Sequence, residues 1–265
     1  MSDTLNALLL GLVEGITEFL PISSTGHLIV IGDLLGFGGQ FSKLFDVVIQ
    51  FGAILAVCWL YRQKLWHTAV TLATEPDSRR FATNVLVAFL PAVVIGFIAH
   101  DFIKRVLFSP VVVGWAFIVG GIAILLVERY RPRATVTSTE TMPAAKALSI
   151  GFFQCLAMIP GTSRSGATIV GALLLGVTRE AATEFSFFLA IPTMAGATAL
   201  DLWKARHDVG GAEWHLIAIG FVVAFLSALF VVRGLVGFVS KHGFAPFAWY
   251  RIVAGIGILA LVFLR

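Results

Sequence analysis

Pro21-Ile-Ser-Ser-Thr-Gly-His27 interrupts an apolar N-terminal region, and Pro160-Gly-Thr-Ser-Arg-Ser-Gly166 interrupts a second region in the same way. With the prolines aligned, Ser23 faces Thr162 and Ser24 faces Ser163. Each segment lies between apolar runs too short to span a bilayer, so each unit reads as short helix, polar Ser/Gly loop, short helix. In a membrane this is a re-entrant hairpin whose tip stops partway, because non-helical backbone at that depth must be buried in protein or wet. Further on, Phe45-Asp46-Val47 and Phe185-Ser186-Phe187 open a long apolar window at nearly the same offset. Two related halves follow from that recurrence.

Composition agrees with the bilayer as solvent: 58% of the 265 residues are hydrophobic and only 13% are charged. A spanning helix needs about 20 mainly apolar residues. The windows 81–99, 111–127, 216–232 and 247–264 approach that length, and 45–61 and 185–200 do so with a polar residue or Pro192 inside, giving six expected spans. The fold class is therefore an all-α polytopic membrane protein with two re-entrant hairpins. It forms one membrane domain over 1–265, with a first half over 1–128, a linker over 129–146 and a second half over 147–265. Three spans between the hairpins invert the second half relative to the first, an inverted-topology repeat.

The first apolar run, Leu5 to Val13, stops at Glu14 without a basic patch before it or a small-residue cleavage site after it, so no removable signal peptide is expected. The stretches 62–80 and 129–146 carry four Lys or Arg each, and the opposing stretches carry Lys104, Arg105, Lys204 and Arg206. That bias places the former pair and the linker in the cytoplasm and both termini outside. The net charge of +4 is scattered over loops, which excludes a nucleic-acid patch. Cys58 and Cys155 read as small hydrophobes. His67, His207, His215 and His242 read as interfacial side chains, the six Trp as an aromatic belt, and Pro91 and Pro192 as helix kinks.

Glu14 and Glu18 stand four apart on a helix, so both project from one face toward the Pro21 loop. An acidic residue at mid-membrane costs about 2.5 to 3.5 kcal/mol, and two within one turn call for a partner. They are candidates to hold a divalent metal or to act as acid and base. Ser23, Ser24, Thr25, Gly26 and His27 set hydroxyls and an imidazole beside those carboxylates, with Ser24 and His27 as ingredients of covalent catalysis and Ser23, Thr25 and Gly26 as candidates to bind phosphate. In the second loop, Arg164 offers a planar fork for phosphate oxygens. Gly161, Thr162, Ser163, Ser165 and Gly166 add hydroxyls and close backbone N–H groups for an anion. Phe153 and Ala157, or with a one-residue slip Gln154 and Met158, face the glutamates, so the second half brings no acids and the shared site is asymmetric.

Glu14-Gly-Ile-Thr-Glu-Phe-Leu-Pro-Ile-Ser-Ser-Thr-Gly-His27, with Pro160-Gly-Thr-Ser-Arg-Ser-Gly-Ala-Thr168, resembles the bacterial undecaprenyl-diphosphate phosphatase, or bacitracin-resistance, family. The likeness runs through nearly the whole chain, including Phe45-Asp-Val-Val-Ile-Gln50 and Glu184-Phe-Ser-Phe-Phe-Leu-Ala-Ile-Pro192. It implies hydrolysis of undecaprenyl diphosphate to the monophosphate carrier used in peptidoglycan synthesis. It also implies site roles for Glu14, Glu18, Ser24, His27 and Arg164, a Mg²⁺ or Ca²⁺ requirement, and a site opening toward the periplasm from the inner membrane. A homodimer is left open.

A transporter is the rival class, since inverted repeats with broken helices and a midplane anion site also build secondary carriers. A hydrolase needs a nucleophile, a base and a charge clamp converging at one phosphorus. The Glu14, Glu18, Ser24, His27 and Arg164 set favours the hydrolase.

Overall fold

The computed structural model describes residues 3–102, 109–205 and 211–264. Lys104, Arg105 and Arg206, on which part of the loop-charge reading rests, lie outside the described residues, as do the Lys204 side chain and His207, read above as interfacial. The protein is an all-α polytopic membrane protein. The first half runs through α1 (Asp3–Thr17), α2 (Ser24–Leu35), α3 (Gln40–Leu60), α4 (Arg62–Thr71), α5 (Pro76–Phe102) and α6 (Pro110–Tyr130). The second runs through α7 (Ala144–Cys155), extended by a 3₁₀ turn at Leu156–Met158, then α8 (Arg164–Leu174), α9 (Arg179–Ala205), α10 (Gly211–His242) and α11 (Ala245–Leu264).

Among the described residues, five helices, α5, α6, α9, α10 and α11, are individually long and apolar enough to cross a membrane. The sixth expected span corresponds to α3, which continues into α4 through a 72° bend at Tyr61. Polar α4 buries no side chain and leaves the direction of α3. The expected short helices are α1–α2 and α7–α8, each pair folded back at a polar tip.

Local chemistry sets these ends. Ser109 in extended conformation accepts from Val112 N–H at 3.2 Å, and Pro110 follows at the first helical position of α6, where its missing N–H costs nothing. Ser23 and Ser163 cap α2 and α8 by accepting from Gly26 and Gly166 N–H. Gly36 and Gly176, at φ 65° and 73°, turn the chain out of those helices in the left-handed region open to glycine.

These backbone-determined positions correct the proline alignment. Ser23 corresponds to Ser163, not to Thr162, and Ser24 to Arg164. The pairs Gly26/Gly166, Gly36/Gly176 and Phe45/Phe185 keep one spacing of 140 residues. Gln154 and Met158 thus stand opposite Glu14 and Glu18, the slipped register considered above.

Packing exchanges elements between the halves. α1 lies on α10 and α7 on α5, while α6 pairs with α11 and α3 with α9. The contacts are close: a Cβ on Gly11 would sit 2.5 Å from Gly220 O, and the equivalent Gly151 is pressed against Ala88 backbone. Helices in lipid associate by such small-residue packing because lipid offers no hydrophobic drive between them. The largest apolar core fills the space among α3, α7, α8, α9 and α10 with Phe185, Phe187, Ile54 and Ile150. All six Trp are exposed on the outside of the bundle. Cys58 and Cys155 are free thiols.

Candidate active site

The two tips meet. Ser165 Oγ of the second donates to Leu20 O of the first at 2.8 Å, and Arg164 Nη2 reaches Glu18 Oε1 at 3.1 Å. Between them opens a cleft of about 240 Å³. Its walls include Glu18, Ser23, Ser24, Thr25, Gly161, Ser163 and Arg164, with Gln50 from α3 and Met158 and Met194 as apolar lining.

Both capping serines hold positive φ, 71° at Ser23 and 75° at Ser163, and they are the only non-glycine residues to do so among those described. Such backbone costs roughly 1–3 kcal/mol per residue and persists where the surroundings impose it, often at functional sites. Here it lets two helix N-termini, α2 and α8, begin at the cleft. Their first N–H groups and the positive ends of both dipoles favour an anion there.

One chain of side chains crosses the cleft. Ser24 Oγ–H donates to Glu18 Oε2, and the other Glu18 oxygen is held by Arg164. Arg164 Nη1 also donates to Ser186 O at 2.8 Å, and Thr168 Oγ1 ties the Ser186 hydroxyl at 2.8 Å. Arg164 Nε is buried with no partner, so the guanidinium keeps donor capacity for a ligand. A hydroxyl hydrogen-bonded to a carboxylate beside an arginine and two helix N-termini is an arrangement for attack on a bound phosphate.

Six of the expected residues sit behind the cleft wall. Gly26 and Gly166 give their N–H groups to the capping serines, and Ser165 and Thr162 spend polar atoms on tying the tips. His27 faces away: its Nδ1 lies 2.7 Å from Ser23 O and its Nε2 lies 2.6 Å from Tyr250 Oη. A carbonyl only accepts, so Nδ1 carries the hydrogen and Nε2 of the neutral ring accepts the Tyr250 hydroxyl. Glu18, not His27, is the group in contact with the Ser24 hydroxyl. Glu14 is fully buried behind Glu18, near the charges of Asp46 and Arg164, and neither of its oxygens has a hydrogen-bond partner.

Those orphaned oxygens test the expected metal. Glu14 feels the like charge of Glu18 most strongly among its charged neighbours, and a divalent cation on Glu14 and Glu18 would relieve that repulsion. Among the described residues no three acid, His or Cys side chains gather into a complete cage. Mg²⁺ commonly completes its shell from substrate phosphates and water, so the donor set fits a cation held jointly with an anionic ligand.

Sequence reasoning missed Tyr250 and Arg251, and it noted Ser186, Asp46 and Gln50 without a role. Arg251 had a signal: it is a lone charge inside the apolar window 247–264, and the cost argument applied to Glu14 extends to it. Ser186 was marked only by its place in the repeat and Tyr250 by nothing, since their part in the site depends on contacts across 22 and 223 residues.

The family model "Bacitracin resistance protein BacA" matches residues 7–257. Among curated proteins, the chain is 58% identical to undecaprenyl-diphosphatase 2 of Paramagnetospirillum magneticum, covering 98% of this chain and 100% of that protein. It is 53% identical to undecaprenyl-diphosphatase 1 of Pseudomonas fluorescens, over 97% and 93% of the two chains. It is 55% identical to the undecaprenyl-diphosphatase of Nitrosospira multiformis, over 97% and 94%. The similarity spans both tips and every helix that positions them, and the chain belongs to the bacitracin resistance protein BacA family.

Proposed function

We propose that this protein is a multi-pass membrane phosphatase that hydrolyses undecaprenyl diphosphate to undecaprenyl phosphate and inorganic phosphate, returning the lipid carrier to cell-wall synthesis and giving resistance to bacitracin. The observation that carries the reading is the Ser24–Glu18–Arg164 chain at the meeting point of two helix N-termini.

Arg164 and the first N–H groups of α2 and α8 hold the terminal phosphate, while the polyprenyl tail stays in lipid. Glu18 accepts the Ser24 proton and Ser24 Oγ attacks the terminal phosphorus, with undecaprenyl phosphate leaving. Water then releases phosphate from the serine. His27 positions the first tip through Ser23 O and handles no proton. Glu14 and Glu18 would hold the divalent cation, Mg²⁺ or Ca²⁺, which when bound neutralises diphosphate charge. Charge stabilisation of this kind supplies most of the acceleration in phosphoryl transfer. The basic stretches 62–80 and 129–146 favour a cytoplasmic linker and a site opening outward from the inner membrane.

Phosphate release from a long-chain polyprenyl diphosphate by purified protein, with and without EDTA, tests the reading. Metal-dependent release in the wild type that is lost in both Glu18→Ala and Arg164→Ala is expected. Folded wild-type protein that releases nothing under either metal ends the phosphatase reading.

A further inference from the structure

Arg251 of α11 is fully buried, and each of its five N–H donors meets a backbone carbonyl. Nε donates to Phe117 O at 3.3 Å and Nη2 to Ala116 O at 2.8 Å, both on α6. The remaining three reach the tips: Nη1 to Pro21 O at 3.0 Å and Thr162 O at 2.9 Å, and Nη2 to Gly161 O at 2.9 Å. The Phe117 ring lies under the guanidinium at 5.4 Å from its carbon, and no described carboxylate pairs with it.

We infer that Arg251 is a positioning residue for the phosphatase reaction, a clamp that fixes both hairpin tips to α6 so that their N–H groups face the cleft. In a trans peptide the carbonyl and the following N–H point in opposite directions. Holding Thr162 O therefore aims the Ser163 N–H away from Arg251, and among the described residues that N–H finds no backbone partner. Holding Pro21 O with the same nitrogen that holds Thr162 O sets the distance between the tips, and with it the approach of Arg164 to Glu18 and Ser24. An arginine fits because its rigid fork offers five donors at fixed angles, whereas lysine offers three from one point. The clamp rests on the phosphatase reading only in its effect on turnover.

Gly120 of α6 gives an independent handle. A Cβ there would run into the guanidinium, and the three nearest atoms all belong to Arg251. Gly120→Ala thus displaces the clamp without removing its charge and leaves the cleft residues untouched. Gly114→Ala presses the same helix pair at Leu259, 2.7 Å away, in a layer that Arg251 does not reach. Arg251→Lys and Gly120→Ala are expected to lower kcat at least tenfold with the pH profile unchanged in shape, and Gly114→Ala to stay within twofold of wild type. Amide hydrogen exchange at residues 20–26 and 160–166 supplies a readout independent of turnover, and it should rise in the first two variants alone. Unchanged exchange and kcat in folded Arg251→Lys and Gly120→Ala overturn the clamp, as do equal losses in all three variants. A wild type without activity but with loosened tips in those two variants would instead sink the phosphatase reading and leave the clamp standing.

Discussion

At the scale of single residues, the site divides into side chains that face the cleft and side chains that hold those in place. Arg164 belongs to the first set: it spans Glu18 and Ser186 O and keeps donors for a ligand. Lysine could keep the contact with Glu18 but not the planar fork. Arg164→Lys should therefore lower kcat/KM about 100-fold, roughly 2.7 kcal/mol of transition-state stabilisation, in phosphate-release kinetics. His27 belongs to the second set. Its Nδ1–H to Ser23 O can be copied by an asparagine amide, so His27→Asn should keep activity within about tenfold while His27→Ala loses more. Equal and severe loss in both, with a changed pH profile, would return His27 to proton transfer. Glu and Arg were legible in the sequence because each is expensive in a membrane unless used, and Ser24 was legible by its place in the loop beside them. Which of them touch was not, since Ser24 and His27 are three residues apart yet point to different partners.

At the scale of elements, the broken hairpins were legible from polar tips between apolar runs, but their register was not. Prolines align by letter, whereas the capping serines and left-handed glycines are fixed by backbone geometry. The second tip carries one more residue between its proline and its cap. Caps also yield a clean stability test away from the cleft. Ser109→Ala removes the acceptor for Val112 N–H and should cost about 1 kcal/mol, seen as a lower melting temperature with unchanged turnover. The linker is tied to α4 by Lys64, which donates to Thr139 Oγ1 at 2.8 Å and pairs with Glu140. Burial would raise the Glu140 pKa, but the Lys64 hydrogen bond and charge outweigh it and hold the carboxyl below its ordinary 4.5. A depressed acid contributes stability above its unfolded pKa and loses it as pH falls through the folded one. Glu140→Gln should thus melt below wild type at pH 7, and the gap should close as the pH drops below 4.5 in paired thermal scans.

At the scale of the whole molecule, the halves are joined by exchange: α1 of the first packs on α10 of the second, and α7 of the second on α5 of the first. This couples the site to the global fold, because α1 carries Glu14 and ends one residue before Glu18, while α7 leads into the tip bearing Arg164. The repeat could be read from sequence as a recurrence, but the partners of each helix could not, since an apolar stripe does not name what it faces. Close approach decides it. At Gly11 the nearest obstacle to a Cβ is Gly220 backbone, and at Gly151 it is Ala88 backbone, neither of which can move aside as a side chain would. Gly234 in α10 has nothing within 4 Å. Alanine raises helix propensity by about 0.8–1 kcal/mol at any of these interior sites, but overpacking against backbone costs about 1–3 kcal/mol. Gly11→Ala and Gly151→Ala should therefore lower the melting temperature in detergent, while Gly234→Ala leaves it equal or higher. The pair should also lose turnover, because pushing α1 off α10 or α7 off α5 separates the acids from the arginine. If Gly11→Ala melts no lower than Gly234→Ala and turns over normally, the halves are not registered by these crossings, and the alignment of Glu18 with Arg164 must come from the tips alone.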